Sequence, residues 1–136
     1  MGGIVISGPQ PDEWIRFTPM AEISASSFAV SARMGGRTAS TDLSVLGTDR
    51  FLAALMEFER TRSGEAILEG TYEFRLVVRP FGKKGAAWIG FHLADWLWLE
   101  DHTHGRHVLE AGFPLAGELI GQMVRDFTSL LTPSRA

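Results

Sequence analysis

The segment from Ala86 to Leu99 (AAWIGFHLADWLWL) limits the possible folds more than any other part of the chain. Successive side chains of an extended strand point to opposite faces, so Trp96 and Trp98 would share one face. Leu97 and Leu99 would share the other face. A strand with two apolar faces needs cover on both sides. The sequence therefore predicts either a second packed layer in the monomer or a face reserved for a partner protein or a homodimer, and both alternatives remain open.

Several other segments have the period of two that indicates β-strands. These segments are Ile4 to Ser7, Glu13 to Thr18, Ser27 to Met34, Arg37 to Val45, Glu65 to Glu69, Tyr72 to Arg79 and Val108 to Phe113. Gly35-Gly36 has the composition of a tight hairpin turn between two of them. Ala86 to Leu99 is long for one strand, so the sequence predicts either one continuous strand or two strands joined by a bulge near Ala94-Asp95.

Two segments have a helical period instead. Apolar side chains recur at helical spacing from Phe51 to Phe58, after a candidate N-cap at Thr48, and this helix is expected to end near Arg62. A second apolar stripe closes the chain and predicts a helix from about Pro114 to Pro133. The order of strands, helix, strands and helix favours an α+β domain, in which two amphipathic helices pack on an antiparallel sheet.

The two strand-to-helix junctions resemble each other in pattern. LSVLGTDRFLAALMEF and GFPLAGELIGQMVRDF each lead from a short strand through a Gly-containing turn into an amphipathic helix that ends in Phe. The identities between them are few, so convergent patterning is preferred over duplication of half the chain as the interpretation.

Composition limits the class of protein. The chain has 136 residues, which predicts a single domain over residues 1–136, and its net charge of −3 argues against a nucleic-acid partner. The chain has no cysteine, and it has neither a basic leader followed by a long apolar run nor a segment of the length that a membrane span requires. We expect a cytoplasmic protein of bacterial type that does not bind membranes.

The segment Glu100 to His107 (EDHTHGRH) carries three of the four histidines of the chain. His102, His104, His107 and Asp101 are the types of ligand that zinc sites use. The segment nevertheless has the polar composition of a loop, and Arg106 would repel a metal ion beside it. A solvent-exposed connecting loop without metal is the preferred interpretation, and a small metal-dependent enzyme that uses these four residues is the alternative.

No local signature of catalysis or cofactor binding occurs, because the chain lacks Gly-x-Ser-x-Gly, GxGxxG and Walker motifs. His92 is expected to be a half-buried strand histidine with one hydrogen-bond partner. We predict no cofactor and favour a non-enzymatic protein-binding module over an enzyme or a small-ligand-binding domain. The residues predicted to bind the partner are Trp96, Trp98, Asp95, Glu100 and Asp101, since Trp is enriched in interfaces.

The pattern over residues 51–131 resembles that of the WapI-type bacterial immunity proteins and related small bacterial proteins. It contains a helix that ends near a Gly-x-Ala-x-Leu strand (Gly64, Ala66 and Leu68), then a strand with acidic flanks, a basic Gly-containing turn, an alternating apolar strand and a closing Leu-rich helix. The resemblance implies a cytoplasmic protein that binds and neutralises a bacterial toxin domain, often a nuclease. It implies no catalytic residue, and the tryptophan-rich strand and EDHTHGRH are not part of the pattern.

Overall fold

A computed structural model describes the backbone of residues 2–98 and 104–132 and the side chains of residues 2–95 and 107–132. Eight strands and two helices follow each other along the chain. They are β1 (Ile4–Ser7), β2 (Glu13–Pro19), β3 (Ser27–Met34), β4 (Arg37–Leu46), α1 (Thr48–Thr61), β5 (Ala66–Gly70), β6 (Arg75–Phe81), β7 (Ala86–Trp98), β8 (His104–Leu115) and α2 (Gly117–Leu131).

The strands form one antiparallel sheet in sequence order, from β1 at one edge to β8 at the other. This arrangement confirms the predicted α+β class with two helices packed on an antiparallel sheet. Each hairpin connection is short, so neighbours in sequence become neighbours in the sheet. Only β4 and β5 are joined through a helix, and they pair solely through Val45 with Gly70 and Leu46 with Glu69.

The chain consists of two halves with the same order of elements, because α1 follows the fourth strand and α2 follows the eighth. The two helices begin at corresponding positions of the two similar sequence segments, Thr48 and Gly117. Their buried residues also correspond in position: Phe51, Leu55 and Phe58 in α1 match Ile120, Val124 and Phe127 in α2. The sequence similarity therefore coincides with a repeated architecture of four strands and one helix.

The core lies between the helices and one face of the sheet, which we call the inner face. Phe127 of α2 makes edge-to-face contacts with Phe17 of β2 at 5.5 Å and with Phe51 of α1 at 5.2 Å between ring centroids. Helix α1 contacts β5, and α2 contacts β1 and β7. Because the sheet bends at the short β4–β5 pairing, β4 also approaches β7 and β8 across the inner face.

The structure decides between two predicted forms of β7 and corrects two predicted helix starts. The register between β7 and β8 is continuous from Ala87–Leu115 to Trp98–His104, so β7 is the single continuous strand, without the bulge near Ala94-Asp95. Helix α2 begins at Gly117, and Pro114 lies in β8. An edge strand tolerates proline because one side of its backbone has no partner strand. Thr48 is the first residue of α1, whose N-cap is Gly47 with a φ of 63° and no side-chain hydrogen bond.

Two further segments differ from expectation. Tyr72 and Glu73 form the turn between β5 and β6 instead of the start of a strand, and both have positive φ. His104 to His107 belong to β8, whereas the sequence predicted a loop there. Long-range pairing with β7 imposes the strand, and the polar composition of this segment gave no signal of that pairing.

Candidate functional site

The strongest candidate site lies on the outer face of β5 to β8, the face opposite the helices. Strand registers align Ile67, Val77, Gly90 and Gly112 in one row across the four strands. We call this row the apolar trough. Ile67 and Val77 are half-buried, and the two glycines present no side chain. The trough is therefore a shallow apolar band that no helix covers.

Trp88 forms one wall of the apolar trough, and its indole ring packs over both glycines. A Cβ atom at Gly112 would lie 2.5 Å from Cζ2 and 2.6 Å from Cε2 of Trp88. A Cβ atom at Gly90 would lie 3.1 Å from Nε1 of the same ring. The other neighbour of Trp88 is Phe81, which stacks on it at 5.5 Å and is 45% exposed. A side chain at Gly112 would therefore clash with the ring, whereas one at Gly90 would require the ring to shift by only a few tenths of an ångström.

Charged side chains border the apolar trough on both sides. Along one border, the registers align Glu69, Arg75, His92 and Glu110. On the other border, Arg79 pairs in register with Trp88, and Glu65 precedes β5. Arg75 and Arg79 make no hydrogen bond or ion pair with the residues that the structure describes, and both are exposed. Their guanidinium groups are therefore available to a partner.

His92 confirms the expectation of a half-buried strand histidine with one partner. Its Nδ1 atom lies 3.3 Å from Oε2 of Glu110, and its side chain is 26% exposed. A His–carboxylate pair can orient a general base, but base catalysis also needs a nucleophile or substrate-activating group within reach. His92 lies in the depression over the apolar trough, and neither serine nor threonine lines that depression. Its lining residues are Glu65, Arg75, Val77, Arg79, Trp88, Gly90, Phe91, His92, Glu110 and Ala111.

The depression over the apolar trough is shallow. Its volume is about 290 Å³, and the other depressions in the described part of the protein measure about 200 to 310 Å³. Small-molecule sites usually enclose roughly 300 to 1,000 Å³ and bury most of the ligand. A shallow apolar band with charged borders is more suited to the surface of another protein than to a small molecule.

The residues predicted from sequence lie beside this site or outside the described part of the chain. Trp96 and Trp98 are in β7, opposite Arg106 and His104 of β8, and their side chains are not described. Asp95 is half-buried in β7 and alternates in phase with the buried Phe91 and Leu93, so it belongs to the inner face, opposite the apolar trough. The predicted residues Glu100, Asp101 and His102 lie outside the described residues.

His107 is the candidate metal ligand whose side chain the structure describes. Its Nε2 atom lies 3.1 Å from the backbone carbonyl oxygen of Thr38 in β4. A carbonyl oxygen only accepts hydrogen bonds, so Nε2 carries the hydrogen and donates it. This bond occupies one ring nitrogen and connects the two halves of the sheet. Among the side chains that the structure describes, those of residues 2–95 and 107–132, no three from His, Cys, Asp or Glu are grouped as metal ligands.

Sequence reasoning missed the apolar trough because its residues come from four strands. Gly90 was the available signal, since an isolated glycine within a strand pattern often marks a close approach by another group. The identity of that group depends on which residues lie opposite one another in β7 and β8. Trp88 on Gly112 could therefore not be deduced from the order of residues alone.

Comparison with known proteins finds no matching family model, no matching curated protein and no matching solved structure. Neither α1 nor α2 has the length and apolar character that crossing a membrane requires, a finding that covers the described residues.

Proposed function

We propose that this protein is a non-enzymatic protein-binding module of the immunity type, which occludes a bacterial toxin domain in the cytoplasm. The observation that supports it is the apolar trough, with Trp88 along it and the exposed Arg75 and Arg79 on its borders, which form no ion pair with any residue that the structure describes. Trp and Arg contribute disproportionately to binding free energy in protein interfaces. The immunity role itself comes from the sequence resemblance, and the trough supplies a surface on which such a partner would dock.

A comparison of the two halves of the sheet supports the choice of surface. The outer positions of β2, β3 and β4 are mostly polar, and include Thr18, Ser31, Ser40 and Asp42. Trp14 is the aromatic residue there, and the guanidinium of Arg16 lies over its ring at 4.8 Å. The equivalent face of β5 to β8 instead combines an apolar band with the exposed side chains of Arg75 and Arg79. A partner would therefore bury more apolar surface by covering β5 to β8 than by covering β2 to β4.

The rigidity of the surface favours binding without rearrangement. Trp88 is held between Phe81 and two glycine positions, and the strands below are paired along their length. A preformed surface loses little conformational entropy when it binds. The bordering charges, positive at Arg75 and Arg79 and negative at Glu65 and Glu110, would then select a partner by electrostatic complementarity and not by affinity alone.

We also propose that the binding surface extends along β7 to the predicted residues Trp96 and Trp98, and to Glu100 and Asp101. Strand β7 continues without a register break from Trp88 to Trp98, so Trp96 and Trp98 lie on the same pair of strands as the apolar trough, and Glu100 and Asp101 follow in the sequence outside the described residues. Alanine at both Trp96 and Trp98 should then weaken binding of the partner. Unchanged binding by a folded double variant would restrict the surface to the trough.

The test begins with the genes on either side of this one: a toxin domain encoded there is co-expressed with this protein, with cell growth as the measurement, and the lack of any such gene would count against the proposal. The wild-type chain should restore growth, and the double variant Arg75→Glu, Arg79→Glu should not. The matched control is Arg50→Glu, because Arg50 is exposed and a negative charge in the first turn of α1 agrees with the helix dipole. Growth restored equally by both variants, or no restoration by the wild type, would contradict the proposal.

A further inference from the structure

The turn between β5 and β6 has a backbone conformation that its residues disfavour. Tyr72 has a φ of 58° and Glu73 a φ of 68°, and the amide of Phe74 donates to the carbonyl of Thr71 at 3.3 Å. Two central residues with positive φ and this closing bond describe a turn of type I′, for which Asn-Gly is the favoured sequence. Tyr and Glu have a side chain that clashes with the backbone in this region. The turn therefore carries strain that a different sequence would relieve.

The surroundings hold this strained turn firmly. The amide of Thr71 donates to the carbonyl of Ser44 at 2.9 Å, and the amide of Ser44 donates to Oγ1 of Thr71 at 3.0 Å. The hydroxyl of Ser44 also forms a hydrogen bond with the hydroxyl of Ser27, at 3.5 Å between the oxygens. The hydroxyl of Ser27 in turn forms one with the hydroxyl of Ser24, at 2.7 Å. Residues in unfavourable conformations persist only where neighbours fix them, and they cluster at binding and active sites.

The strained turn displays the single tyrosine of the chain beside another exposed apolar residue. Tyr72 is 58% exposed and Ile23 is 65% exposed, and both line a depression of about 290 Å³. Ser44 of β4 also lines this depression. Leu46, which is 55% exposed, lies two residues after Ser44 in β4, so both side chains are on the same face of the sheet. Three of the largest exposed apolar side chains thus border one area, which we call the Tyr72 surface.

The charge around the Tyr72 surface has one sign. Asp42 is the charged residue in the lining of the depression, which contains no Lys, Arg or His among the residues that the structure describes. Glu22 precedes Ile23, and Glu69 pairs in register with Leu46. All three carboxylates are exposed. Arg75 pairs in register with Glu69 and lies on the border of the apolar trough.

We propose that the Tyr72 surface is a second docking site, which takes a protein segment with a Lys or Arg side chain next to an apolar one. The apolar side chain would pack between Tyr72 and Ile23, and the cation would lie against Asp42. Tyrosine suits this role because its ring adds a large contact area with few rotatable bonds. This site and the apolar trough have different lining residues and meet at Glu69, and the existence of the Tyr72 surface does not depend on the identity of a toxin.

The test uses peptides, since they need no knowledge of the natural partner. A random peptide library displayed on phage is selected against the full-length protein, and the affinities of selected peptides are measured. Peptides that pair Lys or Arg with an apolar residue should dominate, and Tyr72→Ala or Ile23→Ser should weaken them about tenfold, the loss typical of an interface anchor. Asp42→Lys should weaken them further. Phe81→Ala, which alters the edge of the apolar trough, is the control and should change their affinity less than twofold.

A stability measurement separates binding from a purely structural role of the turn. The variant Tyr72→Asn carries a residue that type I′ turns favour at the first central position, so its melting temperature should rise by about 2 °C while peptide affinity falls. A higher melting temperature with unchanged affinity would overturn the proposal. Selected peptides that ignore Tyr72→Ala, or a library that yields no binder, would also overturn it. If only Phe81→Ala abolished peptide binding, the peptides would bind at the apolar trough and the Tyr72 proposal would be overturned. The two proposals are therefore distinguishable.

Discussion

Gly112 offers the most direct test of how the outer face is built. Replacing it with alanine adds one methyl group where the indole of Trp88 is 2.5 Å away and the carbonyl oxygen of Ile89 is 2.8 Å away. Non-bonded carbon atoms prefer about 3.5 to 4.0 Å, so the ring must move by about 1 Å. The carbonyl of Ile89 cannot move as easily, because Ile89 pairs with Phe113 in the β7–β8 ladder.

The expected cost follows from these two contacts. Forcing a methyl group into a packed site costs about 1 to 3 kcal/mol, and the loss of glycine freedom in the unfolded chain returns about 0.4 to 1 kcal/mol. We therefore expect Gly112→Ala to lower the free energy of unfolding by about 1 to 2 kcal/mol, which lowers the melting temperature of a domain of this size by about 3 to 8 °C. Urea denaturation followed by circular dichroism measures the first quantity, and calorimetry measures the second.

Gly36→Ala is the matched control, since a Cβ atom there meets nothing within 4 Å and the φ of Gly36 is not in the left-handed region. This variant should be as stable as the wild type or slightly more stable. Gly112→Ala should lower the free energy of unfolding by less in a Trp88→Ala background than in the wild type. The clash with the indole is absent in that background, while the clash with the carbonyl of Ile89 stays. Equal stability of Gly112→Ala and Gly36→Ala, or strictly additive effects of Gly112→Ala and Trp88→Ala, would refute the packing described for the apolar trough.

Three further predictions concern the core, the helix connection and metal binding. Phe127→Ala should lower the free energy of unfolding by about 3 to 5 kcal/mol, because the ring of Phe127 contacts both Phe17 and Phe51. Leu119→Ala, on the exposed side of α2, should lower it by under about 1 kcal/mol. Chemical denaturation measures both values, and similar losses would contradict the assigned core. Arg62→Ala should lower the free energy of unfolding by about 1 to 2 kcal/mol, since Nη1 of Arg62 donates to the carbonyls of Gly85 at 2.8 Å and Gly117 at 3.3 Å. Chemical denaturation of this variant, with Arg37→Ala as the control, tests the prediction. Elemental analysis of protein purified without a histidine tag should find no stoichiometric zinc or manganese, and one metal per chain would instead favour an enzyme built on Asp101, His102, His104 and His107.

The local pattern of the sequence was sufficient to predict which residues enter the core. Phe74, Leu76 and Val78 alternate with charged or half-buried residues, and all three are buried. Phe51, Leu55 and Phe58 recur at helical spacing, and all three face the inside of α1. Alternation and helical spacing are properties of neighbouring residues, so they can be recognised without knowledge of the distant parts of the chain. They were enough for the α+β class and for the order of strands and helices.

Boundaries that depend on distant partners could not be predicted in this way. His104 to His107 are polar and are followed by a recognisable apolar strand, yet pairing with β7 extends β8 through them. Tyr72 and Glu73 continue an alternating pattern, yet the hydrogen bonds from Thr71 to Ser44 fix a turn there. In both cases the contact that decides the local conformation comes from a strand elsewhere in the sequence, and it overrides the local preference.

The sequence by itself determined the composition of the core, the two helices and the antiparallel sheet, because each follows from the spacing of apolar residues. Tertiary structure alone decided which residues form the two proposed binding surfaces. It aligned Ile67, Val77, Gly90 and Gly112 in one row and laid Trp88 across two of them, and it brought Tyr72 next to Ile23. Strand register and the bend at β4–β5 set these arrangements, and both depend on interactions between residues that are far apart in the chain.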